Sequence, residues 1–94
     1  MVGKSTWGPP LWRFIHSFAL HKSKAETRRM LYGVIQLLPC DECRRHYIKY
    51  ITEFPPSGDL FEWTVRLHNS VNRRLGKHVM TLTDAKYLYQ NTRP

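Results

Sequence analysis

Both cysteines of the chain stand in one short stretch, "LPCDECRRHY", as Cys40 and Cys43 directly behind Pro39. Sulfur at this spacing has three ordinary uses: it ligates a metal, it closes a small disulfide, or it cycles between dithiol and disulfide. A first cysteine that opens a helix sets its thiolate against free N–H groups and the partial positive charge of the helix N-terminus, and both favour the charged form. That arrangement makes a reactive pair. As a mere staple it achieves little, because so small a ring removes little entropy from the unfolded chain.

The metal reading is poorer. Zinc on Cys40, Cys43 and His46 needs a fourth ligand, and His68 and His78 lie ten residues apart, too far for a Cys2His2 pattern. A c-type haem requires histidine directly after the second cysteine, where Arg44 stands, and a thioredoxin-like domain requires a strand-rich α/β pattern that is missing. What remains is a redox dithiol on a helical scaffold. Such a pair needs somewhere to send two electrons, and side chains do not hand them efficiently to oxygen, so an organic redox cofactor is the natural partner. Trp7, Trp12 and His16 early in the chain, with His68, Asn69 and Asn72 later, offer aromatic walls and directed hydrogen bonds. Lys77 is placed to meet a pyrophosphate. Each alone is ordinary, since an interior Trp or His is usually core; their joint occurrence beside a C-x-x-C is what counts.

The elements that must position these residues read as helical almost throughout. "WGPPLWRFIHSFALHK" opens with Gly8 and two prolines, suited to a helix start. Leu11, Phe14, Ile15 and Phe18 then form one stripe, with Trp12, His16 and Ala19 along its neighbour. A second helix is predicted over 24–38, with Met30, Leu31, Val34, Leu37 and Leu38 facing inward. A third, from Cys40, carries Cys43, Tyr47, Tyr50 and Phe54 on its buried face, and "FPPSGD" ends it. The fourth, "DLFEWTVRLHNSVNRRLG", has a core stripe of Leu60, Trp63, Leu67, Val71 and Leu75, with Gly76 as its stop. Beside that stripe Phe61, Val65, His68 and Asn72 share a face, so two polar side chains continue an apolar row into the structure. A short fifth helix, capped by Thr83, carries Ala85, Leu88 and Tyr89. With no sustained strand-type alternation, the expected fold is an all-α bundle with short connections.

At 94 residues the chain is expected to form one domain over 1–94 with one small core. Its 41% hydrophobic content is that of a folded protein, and no apolar run approaches the roughly 20 residues of a membrane span. "LWRFIHSFAL" is broken by Arg13 and His16 and makes a poor signal sequence. The net charge of +8 admits nucleic acid, but the cations are scattered as pairs, with no long block and no recognition motif. The rival reading is therefore a small basic helical module that binds nucleic acid or is stabilised by zinc.

The order Trp7-Gly8, Trp12, His16, then Pro39-Cys40-x-x-Cys43, then "RLHNSVNRRLGK" from Arg66 to Lys77, strongly resembles the Erv/ALR family of FAD-dependent sulfhydryl oxidases. The resemblance runs from Trp7 to about Tyr89. It implies a four-helix bundle with a short fifth helix, FAD at the mouth of the bundle, and a homodimer. By that likeness Cys43 is the sulfur next to the flavin and Cys40 the one that exchanges with substrate. Trp7, Gly8, Trp12, His16, His68, Asn69, Asn72 and Lys77 match FAD-contacting positions; Tyr47 lies beside the flavin, and Tyr89 falls where the family has an aromatic near the adenine. The implied reaction oxidises a protein dithiol and passes its electrons through FAD to oxygen, giving hydrogen peroxide; no metal, nucleic acid or membrane takes part. Larger members carry extra shuttle and structural disulfides, and with two cysteines this chain has neither. Substrate then exchanges directly with Cys40, or a separate thioredoxin-like partner acts as shuttle. Such minimal forms resemble the oxidases of large cytoplasmic DNA viruses, which implies host cytoplasm or virion; the mitochondrial intermembrane space is the alternative.

Overall fold

The computed structural model describes residues 3–91, and within them the chain is all-helical, with no strand. In order, α1 spans Lys4–His21, α2 Lys24–Gly33, α3 Asp41–Glu53, α4 Leu60–Arg74 and α5 Leu82–Tyr89. A 3-10 turn, Val34–Leu37, follows α2. The centre of the packing is α1, which lies against α2, α4 and α5, while α3 rests on the 3-10 turn.

Helix α1 begins earlier than its prolines suggest. It starts at Lys4, so Pro9 and Pro10 sit in its second turn. Each proline lacks the N–H that would bond the carbonyl four residues before it, which leaves the carbonyls of Ser5 and Thr6 without helical donors. Both residues are exposed, so the missing bonds fall in a turn open to solvent. Beyond the prolines the predicted stripe holds for Leu11, Phe14 and Ile15, of which Ile15 is buried and the others pack against the core, and on the neighbouring stripe His16 is buried.

The second helix is shorter than the apolar pattern predicts. Ser23 and Glu26 cap α2 reciprocally, Ser23 Oγ accepting from the Glu26 N–H at 3.2 Å and Glu26 Oε1 from the Ser23 N–H at 3.3 Å. At its far end Leu38 precedes Pro39, which disfavours the α conformation there, and the chain tightens to a 3-10 turn before going extended. The tighter pitch keeps Val34 and Leu38 buried but turns Leu37 outward, 70% exposed. Leu37 is thus a surface residue, against expectation.

Helix α4 starts on Asp59, whose side chain accepts from the Glu62 N–H at 3.1 Å, and stops at Gly76 as predicted. Gly76 has φ +70, which a Cβ would make costly. Its N–H reaches the Arg73 carbonyl at 3.2 Å and the Lys77 N–H the Asn72 carbonyl at 2.7 Å, the paired bonds of a Schellman stop. Helix α5 is capped by Thr81, whose hydroxyl accepts from the Asp84 N–H at 3.0 Å, and not by Thr83. That register buries Ala85 completely but leaves Leu88 59% exposed. Phe54 and Leu75 also lie further out than their stripes predict, each being the residue that ends its helix.

Ile15, Leu31, Val34, Leu38, Tyr47, Ile51, Trp63 and Leu67 make the main core, and Phe61, Val65 and Ala85 a smaller one under α5. Two side-chain bonds tie α3 into the bundle: the Tyr47 hydroxyl donates to the Leu31 carbonyl, and Trp63 Nε1–H to the Phe54 carbonyl at 2.9 Å.

Candidate functional site

A cavity of about 460 Å³ opens among the first turns of α1, the start of α3 and the end of α4. Trp7, Gly8 and Trp12 wall it from α1, Cys43 and Tyr47 from α3, and His68 and Asn72 from α4. The stop at Gly76 folds the chain back so that Lys77 reaches the lining, and α5 contributes Tyr89. Arg13, Arg74 and Lys4 add positive charge to the same lining, so a mostly apolar pocket carries several cations.

Trp12 and His68 stack almost flat, ring centroids 3.9 Å apart at 6°. Behind them lies His16, fully buried, 5.1 Å from the His68 ring and 4.5 Å from that of Tyr89. His16 does not line the cavity. Its Nδ1 is 2.9 Å from Thr64 Oγ1 and its Nε2 is 2.8 Å from His68 Nδ1. Burial, and then the neighbouring His68, push the His16 pKa down to about 3; burial, and then Lys77, push that of His68 down to about 4. Both imidazoles are therefore neutral near pH 7.

Asn69 is the other expected ligand contact that stays out of the lining. Its amide is consumed within the protein: Nδ2–H donates to the Met80 carbonyl at 2.8 Å, and Oδ1 accepts from the Met80 N–H at 2.9 Å. That two-way bond ties the segment after Gly76 back onto α4.

The two cysteines occupy different places. Cys40 is the N-cap of α3, its backbone extended at φ −128 and ψ 119, and its Sγ accepts from the Cys43 N–H at 3.2 Å. It is outside the cavity lining; Cys43, one turn on, is within it. The Cys43 side chain and then its N–H, hydrogen-bonded to Cys40, pull the Cys40 pKa down. Burial, and then the same bond from the other side, push the Cys43 pKa up. The charged sulfur of the reduced pair is thus the outer one, as a helix N-terminus favours. Arg44 holds the approach to Cys40, donating from one nitrogen to the Leu38 carbonyl and from the other to Asp41 Oδ1, each at 2.7 Å.

Among the described residues no three His, Cys, Asp or Glu side chains are grouped to hold a metal ion. His46, beside the C-x-x-C, lines the cavity and lies 3.7 Å from Glu42 Oε1. Two further residues at the site, Lys4 and Thr64, escape the sequence reading. Lys4 falls before the expected helix start, so its position on the cavity wall is hidden once the prolines are taken as the first turn. Thr64 has a visible signal, one helical turn after Phe61's turn begins and four residues before His68, on the face that runs inward.

Fold and site together define a class: an all-helical bundle that carries a dithiol at an aromatic, cation-lined cavity, one sulfur in its wall and the other outside. A model of the Erv1/Alr family matches residues 9–91, and the chain belongs to that family. An FAD-linked sulfhydryl oxidase of African swine fever virus is 34% identical over 97 residues, covering 92% of this chain and 82% of the relative. A relative from Frog virus 3 is 33% identical over 102 residues, covering 93% of this chain and 68% of that protein. The FAD-linked sulfhydryl oxidase ERV1 of Arabidopsis thaliana is 30% identical over 89 residues, 83% of this chain but 47% of its own length. No helix among the described residues is long and apolar enough to cross a membrane.

Proposed function

We propose that this chain is an FAD-linked sulfhydryl oxidase in which Cys40 exchanges with a protein dithiol and the cavity holds the FAD. One observation carries the reading: Cys43 stands in the wall of the cavity while Cys40, three positions earlier at the cap of the same helix, stands outside. The residues suit the cofactor. The flat Trp12–His68 stack and Trp7 match planar rings, and Lys77 and Arg74, with Arg13, match a pyrophosphate. Trp7, Gly8, Trp12, Tyr47, His68, Asn72, Lys77 and Tyr89 form the walls, and His16 and Asn69 support them from behind.

From the oxidised pair, a substrate thiolate attacks Cys40 Sγ, breaking the Cys40–Cys43 bond and releasing the Cys43 thiolate. A second substrate thiolate attacks its own sulfur in that mixed disulfide, forms the product disulfide and releases Cys40 as a thiolate. Hydrogen bonding that favours charge on Cys40 makes it the better leaving group for this second step. Two electrons now rest on the pair, with Cys43 next to the cavity. Bound FAD would supply the two-electron acceptor that the dithiol lacks, with oxygen as the final acceptor and hydrogen peroxide as its product.

Substrate exchanges directly with Cys40 or through a thioredoxin-like shuttle. A homodimer is supported by large apolar side chains left exposed, Tyr32, Leu37 and Tyr87 among them. The viral relatives support an enzyme of the host cytoplasm or virion, and the longer cellular relatives keep the mitochondrial intermembrane space as the alternative. The purified protein should be yellow, and Cys40→Ser and Cys43→Ser should each abolish dithiol oxidation while retaining FAD. A colourless protein that stays inactive after FAD is added ends this reading.

A further inference from the structure

Behind the cavity runs a chain of side-chain hydrogen bonds in which the position of every proton follows from its neighbours. It begins at the Phe61 carbonyl, which has no proton to give. Thr64 Oγ1 lies 2.6 Å from that oxygen, so the Thr64 hydroxyl is the donor and its single proton is used there. Thr64 is fully buried, and no water competes for the group. His16 Nδ1, 2.9 Å from the same Oγ1, must therefore be an N–H that donates to it. A neutral imidazole carries one proton, so His16 Nε2 is a bare acceptor, and the partner 2.8 Å away, His68 Nδ1, must donate. This spends the single proton of His68 in turn. Its Nε2 is left as a lone pair on a ring that lines the cavity, with no hydrogen bond to it from any described residue.

We propose that Thr64 and His16 are positioning residues that fix His68 in the Nδ1–H tautomer, so that its Nε2 accepts a hydrogen bond from a neutral O–H or N–H donor of the ligand in the cavity. The inference rests on the FAD reading above and adds a rule about which part of that ligand meets His68. A hydroxyl or amine can donate to Nε2. A phosphate oxygen has no proton to offer and meets a lone pair, so the pyrophosphate is excluded from this point and belongs with the cations. The same bonds hold the His68 ring parallel to Trp12, so the donor approaches in the plane of the ring while a flat group remains free to stack on it. Inversion of the chain would need the Thr64 proton on the His16 side, leaving two bare oxygens 2.6 Å apart. That repulsion is the lock.

The test uses 15N-labelled, FAD-loaded protein, whose imidazole nitrogens report protonation directly. The expected spectrum has both His16 and His68 neutral and protonated on Nδ1. Thr64→Val keeps the shape and removes the hydroxyl; it should release His68 to the other tautomer and weaken FAD binding about tenfold, the loss of one hydrogen bond of roughly 1.4 kcal/mol. Thr64→Ser should restore both signals. Wild-type spectra with the proton on His68 Nε2 overturn the proposal even if no Thr64 variant folds. So does Thr64→Val that holds FAD as tightly as wild type. A wild-type protein that takes up no FAD overturns the oxidase reading itself, an outcome distinct from FAD binding with the wrong tautomer.

Discussion

The backbone N–H of Cys43 donates to the sulfur of Cys40 across 3.2 Å, which makes one cysteine the cap of the helix that carries the other. Capping is usually done by an oxygen; here a thiolate is the stronger acceptor, and satisfying a free helix N–H stabilises its charge. The same turn that places Cys43 in the cavity wall therefore activates Cys40 outside it.

That asymmetry predicts unequal reactivity. In the reduced protein, iodoacetamide should label Cys40 well before Cys43, with a pH midpoint for Cys40 below the ordinary thiol range, since the Cys43 side chain and N–H hold its pKa down. Cys43 should label slowly until high pH, because burial and the Cys40 charge push its pKa up. Peptide mass analysis after timed quenching reads both rates. Faster labelling of Cys43 would reverse the assigned roles.

Arg44 predicts a more local effect. Its guanidinium bridges the Leu38 carbonyl and Asp41 across the Pro39–Cys40 link, so it fixes the backbone that aims Cys40. Arg44→Ala should slow reduction of the bound flavin by a dithiol roughly tenfold through lost alignment, yet lower stability by less than about 1 kcal/mol, as for a partly exposed ion pair. Arg44→Lys should not restore the rate, because an ammonium cannot span both acceptors as the fork does. Stopped-flow flavin bleaching, beside a urea midpoint, separates the two effects.

The sequence makes the chemistry legible where spacing alone decides it. Cys40 and Cys43 need only a helix start between them, and the inward row Phe61, Val65, His68 and Asn72 follows from helical periodicity; all four lie where that row puts them, against the core or the cavity. What stays hidden depends on partners distant in sequence. His16 and His68 are 52 residues apart, and only packing of α1 on α4 shows that His16 spends both nitrogens inside the protein. Asn69 reads as a ligand contact until Met80 is seen to take both ends of its amide. Leu37 fits an inward pattern at α-helical pitch, and a change of pitch set by Pro39 turns it out. Pro9 and Pro10 mislead because proline does suit a first turn; an exposed second turn tolerates them too.

The buried imidazoles predict acid sensitivity. His16 and His68 have pKa values of about 3 and about 4 in the folded protein, well below the ordinary 6.5 that they regain on unfolding. Above pH 6.5 neither state binds the proton; below it the unfolded chain gains protons that the folded one refuses, so stability falls from about pH 6.5 toward pH 4. Each histidine contributes a slope of at most about 1.4 kcal/mol per pH unit. Urea titrations at saturating FAD should show this fall, and His68→Gln should make it shallower. A wild-type midpoint that is flat from pH 7 to pH 5 would contradict the neutral pair.

Asn69 gives a prediction that separates support from ligand contact. Its two bonds to Met80 close the eleven-residue return from α4, and that return carries Lys77 to the cavity and leads into α5, where Tyr89 sits. Asn69→Ala leaves the Met80 N–H and carbonyl without these partners in a half-buried place, and should lower stability by about 2 kcal/mol. Asn69→Asp can still accept from the Met80 N–H but sets a carboxylate against the Met80 carbonyl, so it should be no better than Ala. FAD binding should weaken in both in step with stability, through displaced Lys77 and Tyr89. The urea midpoint and the FAD dissociation constant, measured on the same samples, decide the matter: an Asn69→Ala protein of wild-type stability that has lost FAD alone would return Asn69 to direct contact with the ligand.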